Sequence, residues 1–333
     1  MDIERISRRR AITIFAGTLA ALGSGRAARA AAAVEHEWRG LAMGTEARIV
    51  FAAASRDAAH AAATAAAIEI ERLEGVLSLF RADSDICRLN RDKVLPQPAA
   101  DLRRAVALAL AVARATGGLF DPTVQALWEM YADWFTAVPD AGPPPPAHIA
   151  AALRAVDWHQ VDIGADAIRL GFAQRLTLNG LGQGYVTDRV ADLLRSRGFE
   201  RVLIDLGEQR ALGPRGDGAP WRIVRPGSGE IELSQGALAT SEGDGCILGA
   251  GGAVHHLFDP RTGESARHWR RITVQHRSAA VADALSTAFY AASPRELEEL
   301  LSRITGVVVW TTDGAGRERR WQSAARPPMP AGG

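Results

Sequence analysis

Gly180, Gly182 and Gly184 alternate with other residues in Leu178-Asn-Gly-Leu-Gly-Gln-Gly-Tyr185, and a helix pattern follows at once. Val186, Val190, Leu193 and Leu194 recur at three- and four-residue spacing, and Gly198 stands where a left-handed C-terminal cap would close the helix. Glycines just ahead of a helix let backbone approach a ligand closely. The N–H groups and positive dipole end at such a start favour an anion, typically phosphate. A tight turn packed against the core would use the same residues. The spacing is not G-x-G-x-x-G, so the dinucleotide fingerprint does not apply. On its own the run leaves both readings open.

A chain of 333 residues can bury a substantial core as one large domain or two. The net charge of +1 and an aromatic content of only 6% give no sign of a nucleic-acid partner or a single-strand stacking platform. Helical and strand patterns interleave irregularly without internal repeats, which predicts one α+β domain of mixed α/β character. At the N-terminus, Ser7-Arg-Arg-Arg10 precedes an apolar stretch from Ala11 to Leu22, and Ala28-Arg-Ala30 offers a small-x-small cleavage site. This pattern looks like a twin-arginine export signal over residues 1–30, and it places the mature protein in the periplasm. The expected domain is then 31–323, followed by a Pro- and Gly-rich tail, 324–333, without order. Cys87 and Cys246 are the only cysteines, without a CxxC, which argues against a thiol redox centre or cysteine zinc site.

Along the chain, His36 to Phe51 reads as strand interrupted by a turn at Met43-Gly-Thr45. Ala58 to Phe80 reads as a helix with Ile68, Leu73, Val76, Leu77 and Phe80 on its apolar side. Asp101 is placed to cap a helix ending at Gly117-Gly118. In Leu119-Phe-Asp-Pro-Thr123 the aspartate precedes proline, so its carboxylate either projects from a fixed loop or shapes an Asx turn. Strands are predicted at 201–205, 221–224, 238–241 and 272–276, and a closing hairpin around Asp313-Gly314. Of the adjacent His255 and His256, at most one can face a site if the segment is extended. His256 is the better candidate because it shares a face with Phe258. Asp283 and Thr287 lie four apart on one helix face. Such a pair suits an oxygen-seeking cation such as Mg²⁺, or else a threonine bonded back to its own helix. Ser293-Pro-Arg-Glu296 is a capping box with proline at the first helical position.

The order of these pieces is more specific than any one of them. Met43-Gly-Thr45, Ser84-Asp-Ile-Cys-Arg-Leu-Asn90, Gly118-Leu-Phe-Asp-Pro-Thr123, Gly180-Leu-Gly-Gln-Gly-Tyr185 and Asp205-Leu-Gly207 follow in succession, then Ala239-Thr-Ser241, His256-Leu-Phe-Asp-Pro-Arg-Thr-Gly263 and Ala282-Asp-Ala-Leu-Ser-Thr287. This succession resembles the ApbE family of FAD:protein FMN transferases over about residues 40–310, and the loop ending in Tyr185 is similar to the branch associated with nitrous oxide reductase maturation.

The resemblance implies a single domain with central mixed sheets flanked by helices and an FAD cleft. It implies a Mg²⁺-dependent exported enzyme that cleaves FAD at its pyrophosphate. FMN would be joined through a phosphodiester to a Ser or Thr of an acceptor flavoprotein, expected to be membrane-associated, with AMP released. The positions that map to the FAD cleft are Met43, Phe80, Leu119, Phe120, Asp121, Thr177, Gln183 and Phe258. Asp283, Thr287 and the carbonyl near Gly180 map to the metal ligands, and His256 maps to the histidine that takes the acceptor's proton. Departures from the family pattern are Gln183 for a charged residue, Thr177 for an aspartate, Glu208 for a second glycine and Glu242 for glycine after Ser241. Two other readings fit the same residues: an FAD pyrophosphatase yielding FMN and AMP, and a non-catalytic exported flavin-binding protein.

Overall fold

The computed structural model describes residues 34–323 apart from 54, 140, 226–227 and 250–253, so the export-signal and tail segments lie outside the described residues. The described chain opens with strands β1 (Glu35–Ala42) and β2 (Thr45–Ala52), joined by Met43 and Gly44 at φ 50° and 80°. Two consecutive residues with positive φ make the two-residue turn whose twist matches antiparallel strands. Helix α1 (Arg56–Leu77) starts at Ser55, whose hydroxyl accepts from the Ala58 N–H. Its buried stripe runs Ala59, Ala62, Ala63, Ala66, Ile70, Leu73 and Leu77. Ile68 falls off that stripe and is 67% exposed, so the sequence-based apolar side is corrected there. The helix also stops at Leu77, which leaves Phe80 beyond it and exposed.

Next come α2 (Asp85–Asp92), β3 (Val94–Pro96) and α3 (Ala100–Thr116). Asp101 does not cap α3: the cap position is Ala99, without a side-chain bond. One residue into the helix, Asp101 points inward instead, accepting from the Tyr185 hydroxyl at 2.8 Å and from Arg72 at 2.6 Å. Helix α3 ends on Gly117 and Gly118, both at positive φ, as their sequence position predicts. Helices α4 (Gln125–Ala137) and α5 (Pro146–Leu153) and strands β4 (Asp162–Ile163) and β5 (Ala167–Arg169) complete this insertion.

The second half runs α6 (Gly182–Ser196), β6 (Val202–Asp205), β7 (Gln209–Ala211), β8 (Trp221–Arg225), β9 (Gly229–Leu233) and β10 (Gly236–Glu242). It continues through β11 (Ile247–Leu248), β12 (Val254–His255), β13 (Arg271–His276), α7 (Ala279–Ala291), α8 (Pro294–Leu301), β14 (Val308–Thr312) and β15 (Glu318–Gln322). The predicted capping box at Ser293 and Glu296 is formed in both directions. The main sheet has the order β1-β2-β6-β7-β10-β13-β14-β15. The expected mixed sheets resolve into an antiparallel one, since every neighbouring pair in it runs antiparallel. Helices α1, α6 and α7 supply the large core on one face through Leu73, Val186, Val190, Leu285 and Phe289. The β8–β9 hairpin covers part of the other face, packing Trp221, Ile223, Ile231 and Leu233 on Val50, Leu203 and Leu238. Among the described residues, no helix is long and apolar enough to cross a membrane.

Candidate active site

Helix α6 begins at Gly182, earlier than the sequence suggested, so the second and third glycines of the run sit inside its first turn. Their use is close approach rather than unusual backbone: none of Gly180, Gly182 and Gly184 has positive φ. A Cβ on Gly184 would collide with the Ala279 carbonyl at the start of α7, and one on Gly180 would lie 2.8 Å from the Thr287 hydroxyl. The run therefore packs one helix start against another while facing a cavity of about 240 Å³. Of the N–H groups expected to await an anion, that of Gly184 already donates to the Asp283 carboxylate at 3.0 Å. The positive end of α6 thus holds a carboxylate of the chain itself.

That cavity is lined by Leu119, Phe120, Asp121, Thr177, Gly180, Gln183, His256, Phe258, Asp283 and Thr287, ten of the residues singled out in the sequence. Met43 and Phe80 are not among its lining residues. Met43 is half-buried at the β1–β2 turn, where its N–H donates to Glu74 at 2.6 Å, and Phe80 is exposed.

Burial pushes the Asp283 carboxyl well above the usual carboxylate range, partly offset by the Gly184 N–H. Among the described residues, the Thr287 hydroxyl, one turn on, makes no bond back to its own helix. Its Oγ1 lies 3.5 Å from Ser241 Oγ, whereas the neighbouring Ser286 is the one that donates back, to Asp283 O at 2.9 Å. A second acid shares the cavity. Glu208, in the β6–β7 turn, is 3% exposed, and its carboxylate accepts from the Thr240 N–H at 3.2 Å. Burial, then the charges of Asp283 and Asp205, raise its pKa well above the ordinary value. Sequence reading noted Glu208 only as a departure. The signal that could have found it was an acid following Gly207 in the turn just beyond the buried strand 202–205. Among the described residues no group of three or more His, Cys, Asp or Glu stands ready to hold a metal, so any cation here would rest on fewer protein carboxylates.

The two histidines divide as the alternation predicted. His255 turns away: its Nε2 is 2.9 Å from Ala266 O, its Nδ1 accepts from the Leu257 N–H, and its ring meets Tyr290 edge-on. Both nitrogens are thereby occupied. His256 lines the cavity with Nδ1 3.3 Å from Cys246 O. A carbonyl can only accept, so Nδ1 carries the proton and Nε2 keeps its lone pair. Burial lowers the pKa of His256 to about 4, against the smaller opposing effect of that carbonyl, so the ring is neutral at pH 7.

Asp121 fulfils the turn-shaping alternative while also lining the cavity. Its Oδ1 accepts from the Thr123 N–H at 2.8 Å and hydroxyl at 2.6 Å, and its Oδ2 accepts from the Trp158 N–H. Thr177 ties this loop to the glycine run, its N–H donating to Pro122 O at 2.8 Å and its hydroxyl accepting from the Asn179 N–H. Phe258 stacks on Tyr131 with centroids 4.7 Å apart. Gln183 rests on the positive-φ Gly207, where a Cβ would meet its amide at 2.7 Å. Cys87 is a free thiol.

The ApbE family model matches residues 43–310. An FAD:protein FMN transferase of Salmonella typhimurium is 27% identical over 288 residues, covering 79% of this chain and 80% of that one. The Treponema pallidum protein of the same description is 26% identical over 299 residues, covering 80% and 81%. Among solved structures, the ApbE protein of Thermotoga maritima aligns with a TM-score of 0.78 at 26% identity, over 86% of this chain and 97% of the other. The apo flavinyl transferase ApbE of Pseudomonas stutzeri gives a TM-score of 0.77 at 24% identity, covering 89% and 98%, and extends the likeness of fold.

Proposed function

The chain belongs to the ApbE family, and we propose that it is a flavin transferase. In this reading it moves the FMN moiety of FAD onto a Ser or Thr hydroxyl of an acceptor protein outside the cytoplasm. The observation that carries the reading is the convergence on one cavity of a neutral histidine, His256, and an acid–hydroxyl pair, Asp283 and Thr287, against the glycine run at Gly180. The donor set is all oxygen and suits a hard divalent cation, with Asp283, Thr287 and the Gly180 carbonyl as its holders. Bound there, Mg²⁺ would supply charge neutralisation at the FAD pyrophosphate. The flavin side of the substrate lies along Leu119, Phe120 and Phe258, whose apolar surfaces suit an aromatic ring system.

His256 does the protonic work. Its Nε2 lone pair takes the proton of the acceptor hydroxyl as that oxygen bonds to the FMN phosphorus and the bond to the AMP oxygen breaks. Burial makes the imidazole a weaker base than free histidine, but it keeps the ring unprotonated throughout the neutral range. Gln183 and Thr177, uncharged where the family pattern carries charge, leave phosphate neutralisation to the cation and the loop.

Intact mass of a candidate acceptor domain after incubation with the protein, FAD and Mg²⁺ tests the assignment. The expected result is a gain of one FMN less water, absent with His256→Ala and with Asp283→Asn. FAD split to FMN and AMP without acceptor labelling would replace the reading with a pyrophosphatase. FAD bound and left intact with every acceptor tried would replace it with a flavin-binding protein. Periplasmic placement is checked by fractionating cells that carry the full chain or one with Arg8 and Arg9 changed to Lys; export is expected to fail in the second.

A further inference from the structure

Glu208 lies where the family's glycine pair would place no side chain, and the fold has built a place for it. Three contacts with the first turns of α6 bring its turn against the acid on α7. Gln183 rests on Gly207, the Thr187 hydroxyl lies 3.4 Å from Glu208 O, and the Gly184 N–H donates to Asp283. Both carboxylates line the same cavity, and both are at most 5% exposed. Each is fixed by a single backbone N–H, Thr240 for Glu208 and Gly184 for Asp283, through one oxygen only. The remaining oxygen of each, Oε1 and Oδ1, has no hydrogen-bond or ion-pair partner among the described residues. Two buried carboxyls with an uncommitted oxygen each cannot both carry their charge in the cavity unless a cation comes between them.

Resting on the transferase reading of this cavity, we propose that Glu208 is a further ligand of the divalent cation held by Asp283. The second carboxylate supplies charge that in its absence must come from the substrate's phosphates. The protein therefore takes up its cation before FAD arrives, with Glu208, Asp283 and the Thr287 hydroxyl as the side-chain donors. Oxygen ligands of this kind fit Mg²⁺ or Mn²⁺ and reject softer ions.

Manganese(II) titrated into the FAD-free protein, followed by loss of the free-ion EPR signal, reads this site without turnover. Uptake by the wild type in the absence of FAD is expected. Glu208→Gln should weaken it on the order of tenfold or more, at least what lost supporting groups cost other metal sites. Asp192→Asn, a neutralisation on the exposed face of α6 at a residue outside the cavity lining, should leave it unchanged. Should Glu208→Gln not fold, Glu208→Asp keeps the charge on a shorter stem and is expected to bind more weakly than wild type. Equal Mn²⁺ affinity in wild type and either Glu208 variant overturns the proposal, as does uptake that appears only after FAD is added. Loss of Mn²⁺ affinity in Glu208→Gln alongside a wild type that never labels an acceptor would sink the transferase reading and leave this one standing.

Discussion

Helix α6 has buried carboxylates on both sides of its first turns, and the protein treats the two sides in opposite ways. On one side Asp101 is surrounded by donors: the Tyr185 hydroxyl, Arg72 at 2.6 Å, Arg189 at 3.3 Å and Arg104 at 3.8 Å. Burial alone would raise the pKa of Asp101, but these partners outweigh it and hold the carboxyl below its usual range. On the other side Asp283 and Glu208 receive one N–H each, no arginine or lysine pairs with them among the described residues, and both are shifted upward. An acid matched with its own cations ties α1, α3 and α6 together. Two acids left unmatched in a cavity make room for a charge that is not part of the chain.

The largest effect that can break this contrast is on turnover. Asp283→Asn is expected to lower acceptor labelling at least about 100-fold, the upper end of what lost metal-site groups cost. The metal-free form of the same variant should melt higher than wild type because a like-charge repulsion is gone. A variant that labels at wild-type rate would show the two acids to be alike after all. Asp101→Ala should do the reverse. Removing it strands the Tyr185 hydroxyl and takes from Arg189 the shorter of its two carboxylate pairings, and denaturant unfolding should report a loss of about 2–4 kcal/mol. Labelling per folded molecule stays unchanged. Gly184→Ala pushes α6 away from the Ala279 carbonyl, an overpacking that costs about 1–3 kcal/mol. Because Gly184 also anchors Asp283, this change should weaken Mn²⁺ uptake, whereas Gly198→Ala, open to solvent, should leave uptake alone.

The smallest effect sharpens the contrast by pH. Asp101 is depressed when folded, so its contribution is present above the ordinary carboxylate range and lost as pH falls through its lowered value. Asp283 and Glu208 are raised, so the folded state holds their protons more tightly than the unfolded chain does. The stability that goes with those protons is present at acid pH and lost as pH rises through the raised values. Melting temperatures in EDTA should therefore decline from weakly acidic toward alkaline pH, and Mg²⁺ should remove that decline. A flat profile in EDTA would show that burial does not hold the two acids above their ordinary range.

Much of the frame could be read from local chemistry. The Met43-Gly44 turn, the Ser293 capping box, the glycine stop of α3 and the hairpin around Asp313 each rest on neighbours in sequence, and each is formed. The ordering of His255 and His256 followed from two-residue alternation alone. What escaped depended on distant partners. Asp101 looked like a cap because its position suited one, but the arginines that draw it inward come from α1 and α6. Ile68 was counted apolar without knowing which stripe of α1 faces the sheet. Glu208 looked like the loss of a glycine, since nothing in Asp205-Leu-Gly-Glu208 shows that α7 will lie beside it. Trp221 to Val224 reads as an ordinary strand, but in the fold it pairs only with β9, which the sequence pattern does not announce, and covers the far side of the main sheet.

The strands of the main sheet stand in the same order in space as in the chain, from β1 to β15, with every insertion looped out between neighbours. A sheet of that kind can grow by accretion as the polypeptide is made, each new strand docking on the edge left by the last. The floor of the cavity, from β6 to β10, is thus laid down before the helix that bears Asp283 exists. Glu208 meets the second acid only when α7 docks beside it, so the electrostatic cost of the site falls on a late stage of folding. A divalent ion present at that stage would act as a template for the closing step, making refolding faster in Mg²⁺ than in EDTA.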